Sequence, residues 1–304
     1  MILRQAAFEK KGTFLKGNLH CHTTLSDGQA TPDSVTQQYA NAGYDFLAIT
    51  DHRRYNFSAG KCDERILIIP GMEADRYVDG TGMPVVHIVG IGPESGNGYA
   101  DGQEVVYERG GTQENCQDII DDFLSAKNLA ILCHPEWSGN TVEAVKTLQG
   151  FQMMEVWNSG SALCWGVDSN AYHWDVLLHE GRRVWGVASD DGHALQQNCF
   201  GFVRVKAEKN IPSILNALKK GEFYASCGPE FYDFYIEDGQ VCINCSPVSQ
   251  IILRNFSCPH RMLRGENLTG GQFKLRELCT DYIRAEIVDA QGRRAWTNPI
   301  FLNK

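Results

Sequence analysis

The sequence predicts an α/β fold, most simply a barrel, with a small all-β unit behind it. Two observations carry this. Over the first two-thirds of the 304 residues, short apolar runs alternate with stretches that hold helix signals. After Ser226-Cys227-Gly228-Pro229 the helical period disappears, and short alternating segments separated by turn pairs take over.

The strands expected in the first part are residues 18–22, 46–50, 66–70, 85–91, 130–134, 153–157 and 184–189. Most are continuous apolar runs, as in strands covered on both faces of a parallel sheet. A helix should start at Thr31-Pro32-Asp33, with proline at its first position, and stop at Gly43. Further helices are expected over 113–128, over 172–180 before Gly181, and over 212–220 before Gly221. The later strands are 231–236, 240–244, 250–255, 282–287 and 295–301, with turns at Asp238-Gly239, Gly270-Gly271 and Gln291-Gly292. They suggest a β-sandwich. The expected domains are 1–228 and 229–304, packed together with no low-complexity linker.

Composition narrows the function. Lys and Arg number 28, Asp and Glu 37, so the net charge is −9, which disfavours long nucleic acid as a partner. Hydrophobic residues at 43% and charged residues at 21% mark a globular chain. No apolar run approaches the roughly 18–20 residues of a membrane helix. Arg4, Glu9, Lys10, Lys11 and Lys16 interrupt the first 16 residues, which lack the apolar core of a signal peptide. A cytoplasmic protein, with no membrane partner, is expected. The 11 cysteines are odd in number and irregular in spacing, and read as reduced thiols, Cys21 in the core among them. Cys242-Ile243-Asn244-Cys245 has Cys-x-x-Cys spacing but no second pair.

The chemistry begins at His20-Cys21-His22. In a strand, residues i and i+2 share a face, so both imidazoles point into one space and form half a site for Zn, Mn or Fe. Alone this is a weak signal. Repetition strengthens it. His52 follows the strand at 46–50, Glu73 follows 66–70, His87 lies in 85–91, His134 closes 130–134, and Asp191-Gly192-His193 follows 184–189. Metal-competent side chains thus recur at or near the C-terminal ends of strands, where barrels carry their active sites. Any one of these histidines could be an ordinary core or surface residue. The six together, out of nine, are not read so. His173 and His179, on an expected helix, and His260, in the β unit, are read as structural or solvated.

Secondary expectations concern substrate. Arg53 and Arg54 could hold a phosphate bidentately, or be plain exposed arginines. Glu155, Trp157 and Asn158 end another strand and should line the same mouth, with Asn158 as a substrate contact. Trp157 or Trp137 could stack on a ring, or pack in the core or rim. The Gly-rich stretch 90–111 reads as an irregular loop near the mouth, a candidate lid. It lacks the lysine of a phosphate-binding P-loop, and no Ser-His-Asp pattern or Gly-x-Ser-x-Gly elbow is present.

These motifs resemble the PHP (polymerase and histidinol phosphatase) superfamily of metal-dependent hydrolases. The resemblance covers about residues 14 to 228 and rests on the stretch from His20 to Gly28, Ile49-Thr50-Asp51-His52, Pro70-Gly71-Met72-Glu73, His87, Cys133-His134-Pro135 and Ser189-Asp190-Asp191-Gly192-His193. The stretches 223–229 and 295–300 resemble the two-domain CehA/McbA-like branch, which has a C-terminal β domain. The resemblance implies a distorted seven-stranded (β/α) barrel with two or three divalent metals (Mn, Zn or Fe). By motif, His20, His22, Glu73 and Asp191 would hold the first. Glu73 would bridge to a second, shared with His87 and His134. Asp27, His52 and His193 would hold a third; some relatives have histidine where this chain has Asp27. Glu73, Asp191 and His193 are the implied catalytic positions. Asp190 would face away as a supporting residue.

The expected function is phosphoester hydrolysis on a small phosphorylated metabolite or nucleotide, through a hydroxide shared between two cations. Two alternatives stand beside it. One is hydrolysis of a carboxyl ester, amide or carbamate by the same metals. The other is a binding module without catalysis. The oligomeric state is not readable.

Overall fold

A computed structural model describes residues 4–8, 12–78, 82–167, 169–256, 261–275 and 281–302. In chain order its first elements are β1 (Gln5–Ala6), β2 (Phe14–Asn18), α1 (Pro32–Asn41), β3 (Phe46–Ala48), β4 (Leu67–Ile69), β5 (Gly71–Tyr77) and β6 (Val85–Ile91). A short 3-10 turn (Gln113–Cys116) leads into α2 (Gln117–Ser125), then β7 (Leu129–Leu132), α3 (Val142–Thr147), β8 (Met153–Asn158), α4 (Ser159–Trp165), α5 (Ala171–His179), β9 (Trp185–Ser189), β10 (Phe202–Lys206), α6 (Ile211–Lys220) and β11 (Phe223–Ser226). The chain ends in β12 (Phe231–Glu237), β13 (Gln240–Arg254), β14 (Arg261–Lys274), β15 (Tyr282–Val288), β16 (Arg294–Thr297) and β17 (Ile300–Phe301). His260 lies outside the described residues.

Local chemistry explains the helix ends. Thr31 Oγ1 accepts from the Ser34 amide and Pro32 opens α1, which buries Val35, Tyr39 and Ala40. Asn210 caps α6 in the same way, and Gly221 at φ 78° turns the chain out of it behind Lys219 and Lys220. Asn158 caps α4 through the Ser161 amide.

The fold is mixed α/β and rich in strands, and its pairing does not form one closed seven-stranded ring. Five strands make one sheet, in the order β5-β6-β7-β8-β9. The larger sheet runs β1-β12-β13-β15-β16-β11-β10-β2-β3-β4, with β14 on β13 and β17 on β15. Nor is the first part uniformly parallel. β5, β6 and β7 pair antiparallel, while β7-β8-β9 and β2-β3-β4 are parallel. The cause is local. Only Pro70 separates β4 from β5, so the chain bends from one sheet into the other without a crossover helix and then returns as a hairpin. Glu73 and His87 therefore sit inside antiparallel strands and not at parallel strand ends. The two sheets approach again at two isolated parallel bridges, Cys21 with Gly192 and His52 with Glu73.

Two expectations for the last third change. Residues 240–244 and 250–255 belong to one strand, β13, whose register shifts between Asn244 and Val248 around Pro247. A proline without an N–H is tolerated at such a bulge. Gly270-Gly271 is not a turn, since it pairs with Asn244 and Ile243 inside β14. A Cβ on Gly270 would come 2.7 Å from the Ile243 carbonyl oxygen, so close backbone approach requires the glycine. Asp238-Gly239 is a turn, with both residues at positive φ (48° and 74°).

Hydrogen bonding continues across position 228. β11 pairs with β10 on one side and β16 on the other. The buried side chains cross it too. Tyr282 and Trp296 join the cluster of Phe123, Met154 and Trp174, and Phe8 joins that of Phe231 and Ile287. Among the described residues, no helix is long and apolar enough to cross a membrane. Nine described cysteines are free, with Cys21, Cys242 and Cys245 buried.

Candidate metal centre

The side chains from the seam between the sheets converge on one cleft of about 700 Å³. Glu73 is its hub. The carboxylate is fully buried on β5, and five imidazoles face it. His20 Nε2 lies 3.3 Å, His87 Nδ1 2.9 Å and His134 Nε2 3.5 Å from Oε1. His22 Nε2 lies 3.3 Å and His52 Nδ1 3.1 Å from Oε2. Asp191 faces the same imidazoles. Its Oδ1 is 3.3 Å from His20 Nε2 and 2.9 Å from His22 Nε2, and its Oδ2 is 3.5 Å from His134 Nε2. The i, i+2 spacing of His20 and His22 brings their Nε2 atoms to 3.1 Å.

A second group lies nearer solvent. Asp27 Oδ1 is 3.4 Å from His193 Nε2 and 3.7 Å from His22 Nδ1, and its Oδ2 is 3.7 Å from His52 Nε2. Two donor sets thus gather within 4.8 Å each: His20, His22, Glu73 and Asp191, then His22, Asp27, His52 and His193. A third set joins His52, Glu73 and His87. The structure also brings His52 to Glu73, on the oxygen that faces His22, while His87 and His134 face the other oxygen.

Neighbouring groups hold the ligand atoms in place. His20 Nδ1 lies 2.8 Å from Glu155 Oε1, which fixes the ring and points its Nε2 into the cleft. His193 Nδ1 donates to the Asp191 carbonyl at 3.0 Å, with the same result. Glu155 is buried beneath the site and also accepts from the His134 amide, Asn158 Nδ2 and Ser189 Oγ. Asn158 is 1% exposed, with its amide shared between Glu155 and Asp191 (2.9 and 3.3 Å), so it positions Asp191 instead of lining the mouth. Asp51 accepts from the Thr23 amide, Thr23 Oγ1 and Ser26 Oγ, and so shapes the loop that presents Asp27. Asp190 turns away, as its spacing predicts, and accepts from Asn18, Tyr39 and three successive amides, Cys199 to Gly201.

The backbone is bent to the same end. Arg53, His134 and Asp191 adopt left-handed φ values of 56°, 26° and 50°. Each costs about 1–3 kcal/mol in a non-glycine residue and persists where surrounding structure enforces it.

Charges in the cleft are strongly coupled. Burial works against the charged forms of His20 and His22. The Asp191 and Glu73 carboxylates outweigh it, raising His20 well above the ordinary range and His22 to about 10. Burial likewise opposes ionisation of Glu73 and Asp191, yet the facing imidazoles hold both well below the usual carboxylate range. Asp27 is depressed for the same reason, by His193, His22 and His52. His52 is lowered, chiefly by burial.

A divalent cation fits this donor set. His22 Nδ1, His52 Nδ1, Glu73 Oε2 and Asp75 Oδ1 are buried without a hydrogen-bond partner. Imidazole nitrogens and carboxylate oxygens converge, and such a buried donor set is satisfied either by protons on the imidazoles or by a cation that displaces them.

Asp75 was not anticipated. It sits two residues after Glu73 on the same face of β5, 3% exposed, and its Oδ2 accepts from Arg53 Nη2 at 2.6 Å. The Glu-x-Asp spacing was the available signal, hidden because the strand was expected to end at 70. Arg53 lines the cleft. Arg54 does not: its guanidinium lies against Gly102, where a Cβ would come within 3.1 Å of Nη2. Trp157 is buried in the core, and Trp137 stands at the rim, 4.9 Å from the His134 ring. His173 and His179 lie on α5 away from the cleft; His173 Nε2 meets the Asn140 carbonyl and His179 stacks on Phe256.

No protein-family profile matches the chain. A curated relative, the phosphoribosyl 1,2-cyclic phosphate 1,2-diphosphodiesterase of Eggerthella lenta, is 36% identical over 86 residues. That match spans 26% of this chain and 31% of the relative, less than a third of its length. Among solved structures, a two-domain protein from Bacteroides vulgatus, described as containing a predicted PHP-like metal-dependent phosphoesterase, is 12% identical with a TM-score of 0.49, over 97% of this chain and 98% of that one. An amidohydrolase from Chromobacterium violaceum is 17% identical with a TM-score of 0.43, over 59% of this chain and 87% of that one. At these scores the structural likenesses are loose. In the order of its histidine and carboxylate motifs the chain resembles the PHP-like metal-dependent hydrolases, and over the 86-residue match it is similar in sequence to the cyclic phosphate diphosphodiesterase.

Proposed function

We propose that the chain is a metal-dependent phosphoesterase acting on a small phosphorylated molecule, with residues 1–228 as its hydrolytic part. The observation that supports this most is Glu73, a buried carboxylate with both oxygens facing imidazoles from two sides. Such a carboxylate could be shared between two cations, one that His20, His22 and Asp191 would hold and one that His87 would hold, with His134 and His52 beside it. Asp27, His52 and His193 suit a further, more exposed cation. Bound divalent ions, Mn, Zn or Fe, would supply positive charge for phosphate oxygens and make water acidic enough to attack at neutral pH.

The chain's own groups do the rest. Asp191 is held ionised, so its carboxylate stays an acceptor that would hold a cation and orient the attacking water; it is too weak a base to keep the water's proton, which would pass to solvent as the new P–O bond forms. His193, partly exposed at the cleft, would keep its Nε2 for the outer cation beside Asp27, and the leaving oxygen would take its proton from solvent as the old P–O bond breaks. Arg53 engages Asp75 through one nitrogen and keeps the rest of its guanidinium for a phosphate oxygen. The strained turns at His134 and Asp191 fix these atoms before substrate arrives.

The test strips the protein of metal and reloads it with Mn, Zn or Fe separately. A phosphomonoester, a phosphodiester and a carboxyl ester are then assayed, with the His20→Ala/His22→Ala variant as blank. Phosphoester turnover that disappears in the blank is expected. Ester turnover alone would replace this reading with a carboxyl or carbamate hydrolase, and silence on all three would favour a binding module.

A further inference from the structure

A second polar hollow, of about 510 Å³, shares no lining residue with the histidine cleft and lies between α5 and the C-terminal strands, where His179 stacks on its Phe256. Arg284 on β15 is its floor. The side chain is 1% exposed and lies over the Trp174 ring, with its Cζ 4.9 Å from the ring centroid. Its Nε and Nη2 each donate to Asp175 on α5 at 2.7 Å, a bidentate pair that ties the two parts of the molecule together. Glu286, also buried, accepts from Arg254 Nε at 3.1 Å and from Arg294 Nη1.

A structural clamp accounts for this only in part. Among the described residues, three guanidinium groups face two carboxylates, so the charged lining residues leave one positive charge over, in a chain of net charge −9. The remainder shows as a specific atom. Among the described residues, the buried Arg284 Nη1 has no hydrogen-bond partner and only a long ion pair with Glu286 at 3.7 Å. A desolvated guanidinium donor left unpaired is costly, and an oxyanion would complete it. Arg254 and Arg294 are partly exposed (30% and 41%) and add donors at the mouth. Two exposed rings, Tyr172 and Phe256, flank the same hollow at 67% and 38% exposure.

We propose that this hollow is a second ligand site, independent of the metal centre, for a small molecule joining a phosphate-type dianion to a planar ring. The oxyanion meets Arg284 Nη1 and the outer arginines. The ring lies on Tyr172 and Phe256. A dianion is preferred to a carboxylate because forked donors come from three arginines.

The probe is phenylphosphonate, which has no ester bond to hydrolyse, titrated calorimetrically into metal-loaded protein, with benzoate and inorganic phosphate as companions. In the Arg254→Gln/Arg294→Gln variant, a binding event that persists in the His20→Ala/His22→Ala protein should weaken about tenfold or more, while metal content and phosphoester turnover stay at the wild-type level. Benzoate should bind more weakly than phenylphosphonate. Should the glutamine pair unfold the chain, Tyr172→Ala/Phe256→Ala is the second test: it should remove the preference for phenylphosphonate over inorganic phosphate. An isotherm unchanged by the arginine substitutions, or binding lost entirely with the two histidines, would overturn the proposal. Equal affinity for phenylphosphonate and phosphate in the wild type would overturn its ring component.

Discussion

The two hollows carry opposite surpluses. In the histidine cleft, the buried atoms without partners are carboxylate oxygens and imidazole nitrogens: Glu73 Oε2, Asp75 Oδ1, His22 Nδ1 and His52 Nδ1. In the arginine hollow, among the charged groups of the described residues, the corresponding atom is a donor, Arg284 Nη1. Each hollow is also built on a pairing between distant segments: residue 20 with 155 in one, 175 with 284 in the other. The difference teaches that a buried polar cluster declares the charge of its missing partner by the sign of what it leaves unsatisfied. Acceptors in excess call for a cation, and donors in excess for an anion.

The comparison breaks most sharply at Glu73. Glu73→Gln removes the shared carboxylate from the hub. Phosphoester turnover and bound metal, read by assay and by elemental analysis, should fall by more than about a hundredfold, beyond the loss typical of a supporting residue. Phenylphosphonate binding in the other hollow should not change. The counterpart there is Asp175→Asn, which leaves Arg284 with an uncompensated charge. Denaturant unfolding should show a loss of about 3 kcal/mol, with metal content intact. Glu155→Gln sharpens the first hollow without touching a proposed ligand. Metal affinity should drop about 10- to 100-fold, with turnover recovering at high metal concentration; no change would mean that Glu155 does not orient His20.

The smallest effect is a pH dependence. Burial opposes the ionised form of Glu286, but Arg284, Arg254 and Arg294 outweigh it and hold its carboxyl below the ordinary glutamate range. A depressed carboxyl stabilises the fold at pH values above its unfolded pKa of about 4.3, and that contribution is lost as pH falls through the folded value. Stability measured by denaturant should therefore decline on acidification below about pH 4.3. Glu286→Gln should flatten the decline. An unchanged slope would show that the arginines do not act on this carboxyl.

The first hollow was far more legible in the sequence than the second. His20 and His22, or Asp191 and His193, announce themselves because a period of two is a local property of extended chain. The repeated placing of metal-competent residues at or near strand ends then brought in Glu73, His87 and His134. Asp75 and the buried place of Glu155 were less visible, since each depends on where a strand ends and which way it runs. Apolar runs such as 85–91 read alike in parallel and antiparallel sheets, so the β5-β6 hairpin could not be told from a crossover unit. The arginine hollow had no local signature. Asp175, Arg254, Arg284 and Arg294 are spread over 120 positions and meet only through the register of β13, β15 and β16. Gly270 misled for a related reason, because a glycine needed for close strand approach looks like one needed for a turn.

The ladder through β11 has a mechanical consequence. Because β11 is bonded to β10 on one edge and to β16 on the other, the seam between the two parts is made of the same backbone bonds as their interiors. Trp296 and Tyr282 rivet it from within the core. Such a joint transmits load and does not flex like a hinge. The chain should melt in a single cooperative step, and amide hydrogens on β10, β11 and β16 should exchange together and last.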